Sequence, residues 1–449
     1  MARTMYVSVS DIMRDPDQTK VYNLQTDRRY IVEGCAGSGK SSLALLLLQK
    51  ILAERGEDDE TPTPVYYVTT AHELVECVRQ QFSQFDPRPT YNDYAITGGK
   101  SGNGEVQSMW ESQKISDLQR KNQVPTGPYV INSRSCMRIR RESQGTYRTF
   151  VNEDIKINRT PDYLLVDEAQ DFNRASIEDF LLSTQKGCVF YGDDTQSIMG
   201  FANPMHLSDI EALLKAKYGE TGENGRVIIY RYTLKRNWRL SKEIAAFAQA
   251  LPNGVSDPDL LSRCRGEYKE KPVLCQLNSE NEMIDYIRKR AIKANLDDDV
   301  AIILRTNEDV KRFYEKLLSM GNVSARFSTI ERRVFLTPEE AKKYVMRVNR
   351  VTGVRAKQTE TNGNEVKIER YNYLQNTSTV KIMTYENAKG QQFRDVYLIG
   401  SNDILNDPEG LNRFYVGVTR AERYLRIMYS GQLPTFLQNV DPDLYVTTD

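Results

Sequence analysis

Tyr30-Ile31-Val32-Glu33-Gly34-Cys35-Ala36-Gly37-Ser38-Gly39-Lys40-Ser41, followed by the apolar run Leu43 to Leu52, decides how this chain is read. An apolar strand runs into the spacing G-x-x-x-x-G-K-S and then into a helix, the context in which that spacing forms a phosphate-binding loop. Glycines let backbone N–H groups converge on phosphate oxygens, and the helix N-terminus adds its partial positive charge at the same point. In such a loop Lys40 reaches the β- and γ-phosphates and the Ser41 hydroxyl binds Mg²⁺. The competing reading, an accidental glycine-rich turn, is disfavoured by the strand and helix on either side. Cys35 is tolerable beside phosphate, though oxidisable.

A second apolar strand, Tyr163-Leu164-Leu165-Val166, ends in Asp167-Glu168. Acids at the C-terminal end of a strand stand where α/β sheets bind ligands. The first carboxylate suits Mg²⁺ and the second suits polarisation of an attacking water. Further strand-length runs recur at Val65 to Val68, Val189 to Tyr191, Val300 to Leu304, Val380 to Met383 and Val396 to Ile399, each followed by a helix-like pattern. That alternation predicts an α/β fold built on parallel sheets flanked by helices.

The series breaks near Thr233, which divides the chain into expected domains at 1–233 and 234–449. Two polar stretches interrupt it. The first, about 84–160, is rich in Gly, Ser and Asn and then basic, with Arg134, Arg138, Arg140, Arg141 and Arg148 close together. This reads as an insertion whose cationic face suits phosphate contact as well as it suits a solvated or protein-docking surface. The second, about 326–379, is a short insertion in which one helix is predicted over Pro338 to Val348.

Lys plus Arg and Asp plus Glu both number 61, so any pull on a polyanion must come from local patches. No apolar run approaches the ~20 residues of a membrane span, and Met1 to Met5 lack signal-peptide character, so a cytoplasmic protein without a membrane partner is expected. Cys35, Cys77, Cys136, Cys188, Cys264 and Cys275 have neither zinc-ligand spacing nor a small-domain disulfide pattern, and they read as free thiols. With only His72 and His206 in the chain, a histidine-based metal centre is a poor fit.

Gly34 to Ser41 and Asp167-Glu168-Ala169-Gln170-Asp171 resemble the first and second motifs of the UvrD/Rep/PcrA helicases of superfamily one. Further similarities follow in chain order. Gln18 stands where that family reads adenine, and Val68-Thr69-Thr70-Ala71-His72 is similar to its strand-gripping motif. Gly192-Asp193-Asp194-Thr195-Gln196-Ser197-Ile198 resembles the third motif and Leu234-Lys235-Arg236-Asn237-Trp238-Arg239 the fourth. The fifth and sixth are matched by Thr384-Tyr385-Glu386-Asn387-Ala388-Lys389-Gly390-Gln391-Gln392-Phe393 and Tyr415-Val416-Gly417-Val418-Thr419-Arg420-Ala421.

The resemblance implies two RecA-like P-loop NTPase domains with ATP and Mg²⁺ between them. It implies that Gly34, Gly37, Ser38, Gly39, Lys40 and Ser41 hold phosphate, with Gln18, Trp238 and Gln392 around base and ribose. Ser41 and Asp167 would hold the metal, Glu168 would activate water, Gln196 would sense the γ-phosphate, Arg239 would contact phosphate, and Arg420 would be an arginine finger. Such a finger contributes roughly 10³ to 10⁵ in rate, and fingers on one domain facing a phosphate loop on the other make hydrolysis conditional on closure. The implied activity is ATP-driven translocation or unwinding on single-stranded nucleic acid, DNA with 3′ to 5′ polarity if the family pattern holds.

Departures gather on the strand side. Thr70 replaces an aromatic, Ala202 follows Phe201 where an arginine is common, and Glu386 replaces a histidine. Gln392 replaces a glutamate at the ribose. Candidate strand contacts are therefore Thr69, Thr70, Phe201, Thr384 and Glu386, with Phe201 equally readable as a core residue. Two alternatives stay open. One is an ATPase regulated by a protein partner such as a nuclease, within a repair or anti-phage defence complex. The other is an RNA remodeller.

Overall fold

The computed structural model describes residues 8–54, 65–69, 129–132, 137–141, 147–151, 162–198, 204–221, 225, 228–252, 257–267, 269–291, 300–319, 325–327, 330–335, 356–362, 365–371, 380–404 and 406–448. Successive side chains of a strand point to opposite faces, and the apolar runs use both. Tyr30 and Val32 enter one core with Tyr67, Leu165 and Val189, whereas Ile31 enters another with Val68, Leu164 and Phe190. A strand buried on both sides must lie inside a sheet covered by helices on each face.

The chain begins with α1 (Val9–Ile12) and α2 (Pro16–Tyr22), then β1 (Arg29–Gly34), α3 (Lys40–Glu54), β2 (Val65–Thr69) and β3 (Tyr129–Asn132). Among the described residues the strands β4 (Met137–Arg141) and β5 (Tyr147–Val151) pair only with each other, antiparallel. There follow β6 (Tyr163–Val166), α4 (Arg174–Ser183), β7 (Gly187–Gly192), α5 (Leu207–Tyr218) and β8 (Arg231–Leu234). Six strands form a parallel sheet in the order β3-β2-β6-β7-β1-β8. Leu43, Leu46 and Leu47 of α3 cover one face, and Ile177 of α4 with Leu207 and Ile210 of α5 cover the other.

The second half adds α6 (Lys242–Gln249), α7 (Leu260–Arg263), β9 (Val273–Gln276), α8 (Glu280–Ala291), β10 (Val300–Leu304), α9 (Asn307–Ser319) and β11 (Ala325–Phe327). Then come β12 (Ile330–Phe335), β13 (Ala356–Asn362), β14 (Glu365–Tyr371), β15 (Val380–Thr384), α10 (Tyr385–Ala388), β16 (Phe393–Leu398), α11 (Pro408–Val418), β17 (Ala421–Tyr429) and β18 (Val446–Thr448). Seven of these strands form a second parallel sheet, β11-β15-β10-β16-β17-β9-β18. Its two faces are again buried, against α6 and α11 on one side and α8 and α9 on the other. The expected pair of parallel α/β units with flanking helices is thus what the chain forms.

Three details differ from the sequence reading. The first polar stretch is not wholly an insertion, because β3 lies within it and extends the first sheet. The second holds strands that the sequence reading did not include: β12, β14 and β13 make a small antiparallel sheet. The helix over 338–348 falls outside the described residues. Near Thr233, β8 still belongs to the first sheet, and the second core, which Cys35 of the loop also enters, is otherwise built from Leu240 onward. Among the described residues no helix is long and apolar enough to cross a membrane.

Candidate functional site

The C-terminal end of β1 turns into the loop through two glycines, Gly37 and Gly39, with φ of +77° and +88°. Any other residue would be strained there, and a Cβ on Gly37 would stand 2.6 Å from the Cβ of Arg239. The opposing segment therefore rests directly on the loop. Asn237 Nδ2 donates to the Ala36 carbonyl, and the Trp238 backbone N–H donates to the Gly37 carbonyl at 3.0 Å. Lys40 curls back, its Nζ donating to the carbonyls of Gly34 (2.6 Å) and Cys35 (3.2 Å). Ser38 Oγ is buried with no hydrogen-bond partner.

The acids arrive from β6. Ser41 Oγ and the Tyr67 hydroxyl each donate to Asp167 Oδ2 at 2.6 Å. Burial raises the Asp167 carboxyl above its ordinary value, and the Glu168 charge beside it adds to the rise. Such a carboxylate gains from a cation. Glu168 has φ +59°, the one positive φ among the described non-glycine residues, a strain of about 1–3 kcal/mol of the kind found at functional sites. Burial acts to raise its carboxyl too, but Lys389, Lys40, Gln170 and Arg420 outweigh that and hold it below the ordinary value.

The second unit supplies the cations. Arg420, just before β17, is 1% exposed and bonded at all three nitrogens: Nε to the Val416 carbonyl (2.9 Å), Nη1 to the Gln391 carbonyl (3.0 Å), and Nη2 to Gln196 Oε1 (2.7 Å) and Thr419 Oγ1 (3.1 Å). Burial, then the neighbouring Arg239 charge, pull its guanidinium down to about 9. Arg239 differs: its Nε and Nη1 are buried and make no hydrogen bond. Unsatisfied buried donors that share a cleft with a second guanidinium are what an anion relieves.

A relay joins the two sides. Arg420 donates to Gln196, Gln196 Nε2 donates to Asp193 Oδ2, the Asp193 backbone N–H donates to Gln170 Oε1 (3.0 Å), and Gln170 Nε2 donates to Glu168 Oε2 (2.6 Å). Lys389 makes a second bridge, with its Nζ 2.7 and 2.6 Å from the Asp171 oxygens and 3.5 Å from Glu168 Oε2. Burial lowers this ammonium, but Asp171 and Glu168 more than compensate and it is raised.

These elements enclose a cleft of about 690 Å³, lined by Gln18, Gly37, Ser38, Gly39, Lys40, Ser41, Glu168, Gln196, Trp238, Arg239, Gln392 and Arg420. Gly34 and Asp167 stand one hydrogen bond behind that lining, through Lys40 and Ser41. Gln18 Nε2 donates to the Ser38 carbonyl at 2.8 Å. The Trp238 indole is 47% exposed, and its N–H donates to Asp15 Oδ2 at 2.8 Å. Asp15 also caps α2, the helix that carries Gln18, so one carboxylate aligns both residues.

The candidate strand residues do not converge in this way. Thr69 is fully buried, Thr384 caps α10 through the Asn387 N–H (3.3 Å), and Glu386 is paired with Arg413 Nε at 2.9 Å. Thr70, Phe201, His72 and Arg134 lie outside the described residues. Sequence reasoning gave no role to Tyr67, Gln170, Asp193, Asn237, Asp171 or Lys389. For Lys389 and Asp171 the available signal was a charge inside an otherwise buried motif.

The donor set fits a nucleoside triphosphate with Mg²⁺. Ser38 Oγ and two Arg239 nitrogens are buried and unpartnered, and two positive-φ glycines leave room for phosphate. No group of three His, Cys, Asp or Glu that could hold a metal occurs among the described residues. Cys35, Cys188, Cys264 and Cys275 are free and buried.

No family model matches the sequence, and no curated protein does. Solved structures that resemble the chain include the C-terminal domain of a possible DNA helicase from Lactobacillus plantarum WCFS1 (17% identity, 47% of this chain and 99% of that one, TM-score 0.31). Others are the PRRSV helicase (12% identity, 92% and 54%, TM-score 0.38) and S. cerevisiae Dbp5 bound to RNA and ADP BeF3 (11% identity, 97% and 89%, TM-score 0.46). All three scores lie below 0.5, so none bears on what the residues here do.

Proposed function

We propose that this protein hydrolyses ATP in the cleft between its two parallel sheets and couples closure of that cleft to movement along single-stranded nucleic acid. The observation that carries the first half is the convergence of Lys40, Ser41 and Glu168 from one side with Arg239 and Arg420 from the other. Phosphoryl transfer spreads charge over the γ-phosphoryl oxygens, and catalysis consists largely of neutralising it and positioning water.

In this reading the loop N–H groups and Lys40 bind the phosphates, Trp238 offers the base a face, and Gln18 and Gln392 border base and ribose. Ser41 and Asp167 hold Mg²⁺, which supplies neutralising charge when bound. Glu168, kept ionised by the cations around it, accepts the proton of the attacking water. Arg239 and Arg420 stabilise the transferring group, and Gln196 reports to Arg420 through the bond they share. Closure is required because the anion-binding groups sit on both units. The Lys40→Ala protein should lose turnover in a steady-state ATPase assay, and parental turnover in that variant would sink the reading.

A second reading has one observation in its favour. Thr384 and Glu386 are bonded inside the protein, which supports an ATPase whose cycle is read by a protein partner. Measuring turnover with single-stranded DNA, with RNA and with no polymer separates the readings: stimulation by a strand supports the motor, and indifference to both supports the switch.

A further inference from the structure

Lys389 is fully buried yet does not line the cleft. It belongs to the turn between α10 and β16, and its ammonium reaches across to Asp171 and Glu168 on the other unit. Asp171 lies in the turn that follows Glu168, and its backbone N–H donates to the Glu168 carbonyl at 3.0 Å. That turn carries the strained backbone of Glu168. Lys40 and Arg420 face the same carboxylate from within the cleft, whereas Lys389 meets it from behind.

The turn also sets Arg420. Its Gln391 carbonyl accepts Arg420 Nη1, while Gln391 Nε2 donates to the Asn387 carbonyl at 2.7 Å. A shift of residues 388–392 therefore moves two cations at once. If the units part, Asp171 and Glu168 lose the Lys389 ammonium, and breaking a buried ion pair is strongly destabilising.

We propose that Lys389 is a positioning residue, an interdomain latch that holds Glu168 in its hydrolytic orientation only while the second unit is seated on the first. This rests on the nucleotide reading above. Lys389 does not line the cleft, so its removal should spare ATP binding and impair turnover. A merely structural ion pair would instead change stability and activity together.

The test uses the full chain with Lys389→Met, Asp171→Asn and the double variant, reading kcat, KM for ATP, binding of a non-hydrolysable ATP analogue, and thermal melting. Lys389→Met should lower kcat on the order of 100-fold, the scale of a small misplacement of a reacting group. KM and analogue affinity should stay parental. The double variant, which neutralises both partners, should regain melting temperature but not kcat. Recovery of both together, or parental kcat in Lys389→Met, overturns the proposal. Where Lys389→Met does not fold, Asp171→Asn reads the same split, and parental kcat there overturns it equally. Lys40→Ala in the same assay keeps the two claims apart: if it is fully active, the nucleotide reading fails and not the latch alone.

Discussion

Arg239 and Arg420 face the same cleft, yet removing them should have opposite consequences for stability. Arg420 makes four hydrogen bonds; the Val416 carbonyl keeps the Thr419 hydroxyl, but Arg420→Ala takes the donor from the Gln391 carbonyl and from Gln196 Oε1, at about 1–3 kcal/mol each. Arg239 Nε and Nη1 make none, and the Arg239 charge is among the causes that lower Arg420. The Arg239→Ala substitution keeps the backbone N–H that Asn237 Oδ1 accepts at 2.9 Å and keeps the Cβ against Gly37. It should therefore leave the nucleotide-free protein as stable as the parent, or more so by up to about 1–3 kcal/mol, the cost of an unsatisfied buried group.

Turnover should move the other way. On the proposed function, Arg239 contacts the transferring phosphoryl group, a role worth roughly 10³ to 10⁵ in rate, or about 4–7 kcal/mol of barrier. The assay pairs ADP release at saturating ATP with urea unfolding in the absence of nucleotide. A loss on the order of 1,000-fold in kcat with unchanged unfolding is expected for Arg239→Ala. If Arg239→Ala instead unfolds as easily as Arg420→Ala, or keeps kcat within about tenfold of the parent, the argument from orphaned donors is wrong.

Three further outcomes follow. Burial, with Asp193 next, pushes the Cys35 thiol up to about 12, so at pH 8 it should alkylate on the order of 1,000-fold slower than a free thiol of pKa about 8.5. Because the folded state keeps that proton and the unfolded state releases it, the Cys35 contribution to stability should fall as pH rises from the ordinary thiol value towards about 12; peptide-resolved labelling and a pH series of melts check both. Tyr67→Phe removes one donor from Asp167 and should cost about 1.5–3 kcal/mol while raising the Mg²⁺ concentration for half-maximal turnover, and parental values of both would mean that Tyr67 does not hold Asp167. Leu47→Ala, in the core under β1, should cost about 2–5 kcal/mol by urea unfolding with kcat unaltered; a loss near zero would mean that this core is not packed as described.

How much of this was legible depended on burial and on sequence distance. The strands β1, β6, β7 and β10 read as apolar runs because both of their faces are buried. The edge strand β8 was missed because only Leu234 of its four residues is buried, and β9 is short, with an exposed Gln276 at its end. In β17 the run is broken by Arg423 and Arg426, the latter lying over the rings of Tyr397 and Tyr424. The strands β12 to β14 are rich in charged and polar residues, which a search for apolar runs passes over.

The Gly34 to Ser41 loop and the Asp167-Glu168 pair could be picked out because each is contiguous in the sequence. Tyr67 with Asp167, and Lys389 with Asp171, are separated by 100 and 218 residues, and only the fold brings them together. The strand-contact candidates were drawn from resemblance, and Thr384 and Glu386 turn out to be bonded to their own lobe.

The most direct test of the account is ATP turnover by the purified chain and its Lys40→Ala variant, each with no polymer, with single-stranded DNA and with RNA. The account predicts that the parent turns over ATP, that a single strand accelerates it, and that the variant is inert in every condition. Equal turnover by parent and variant would contradict it.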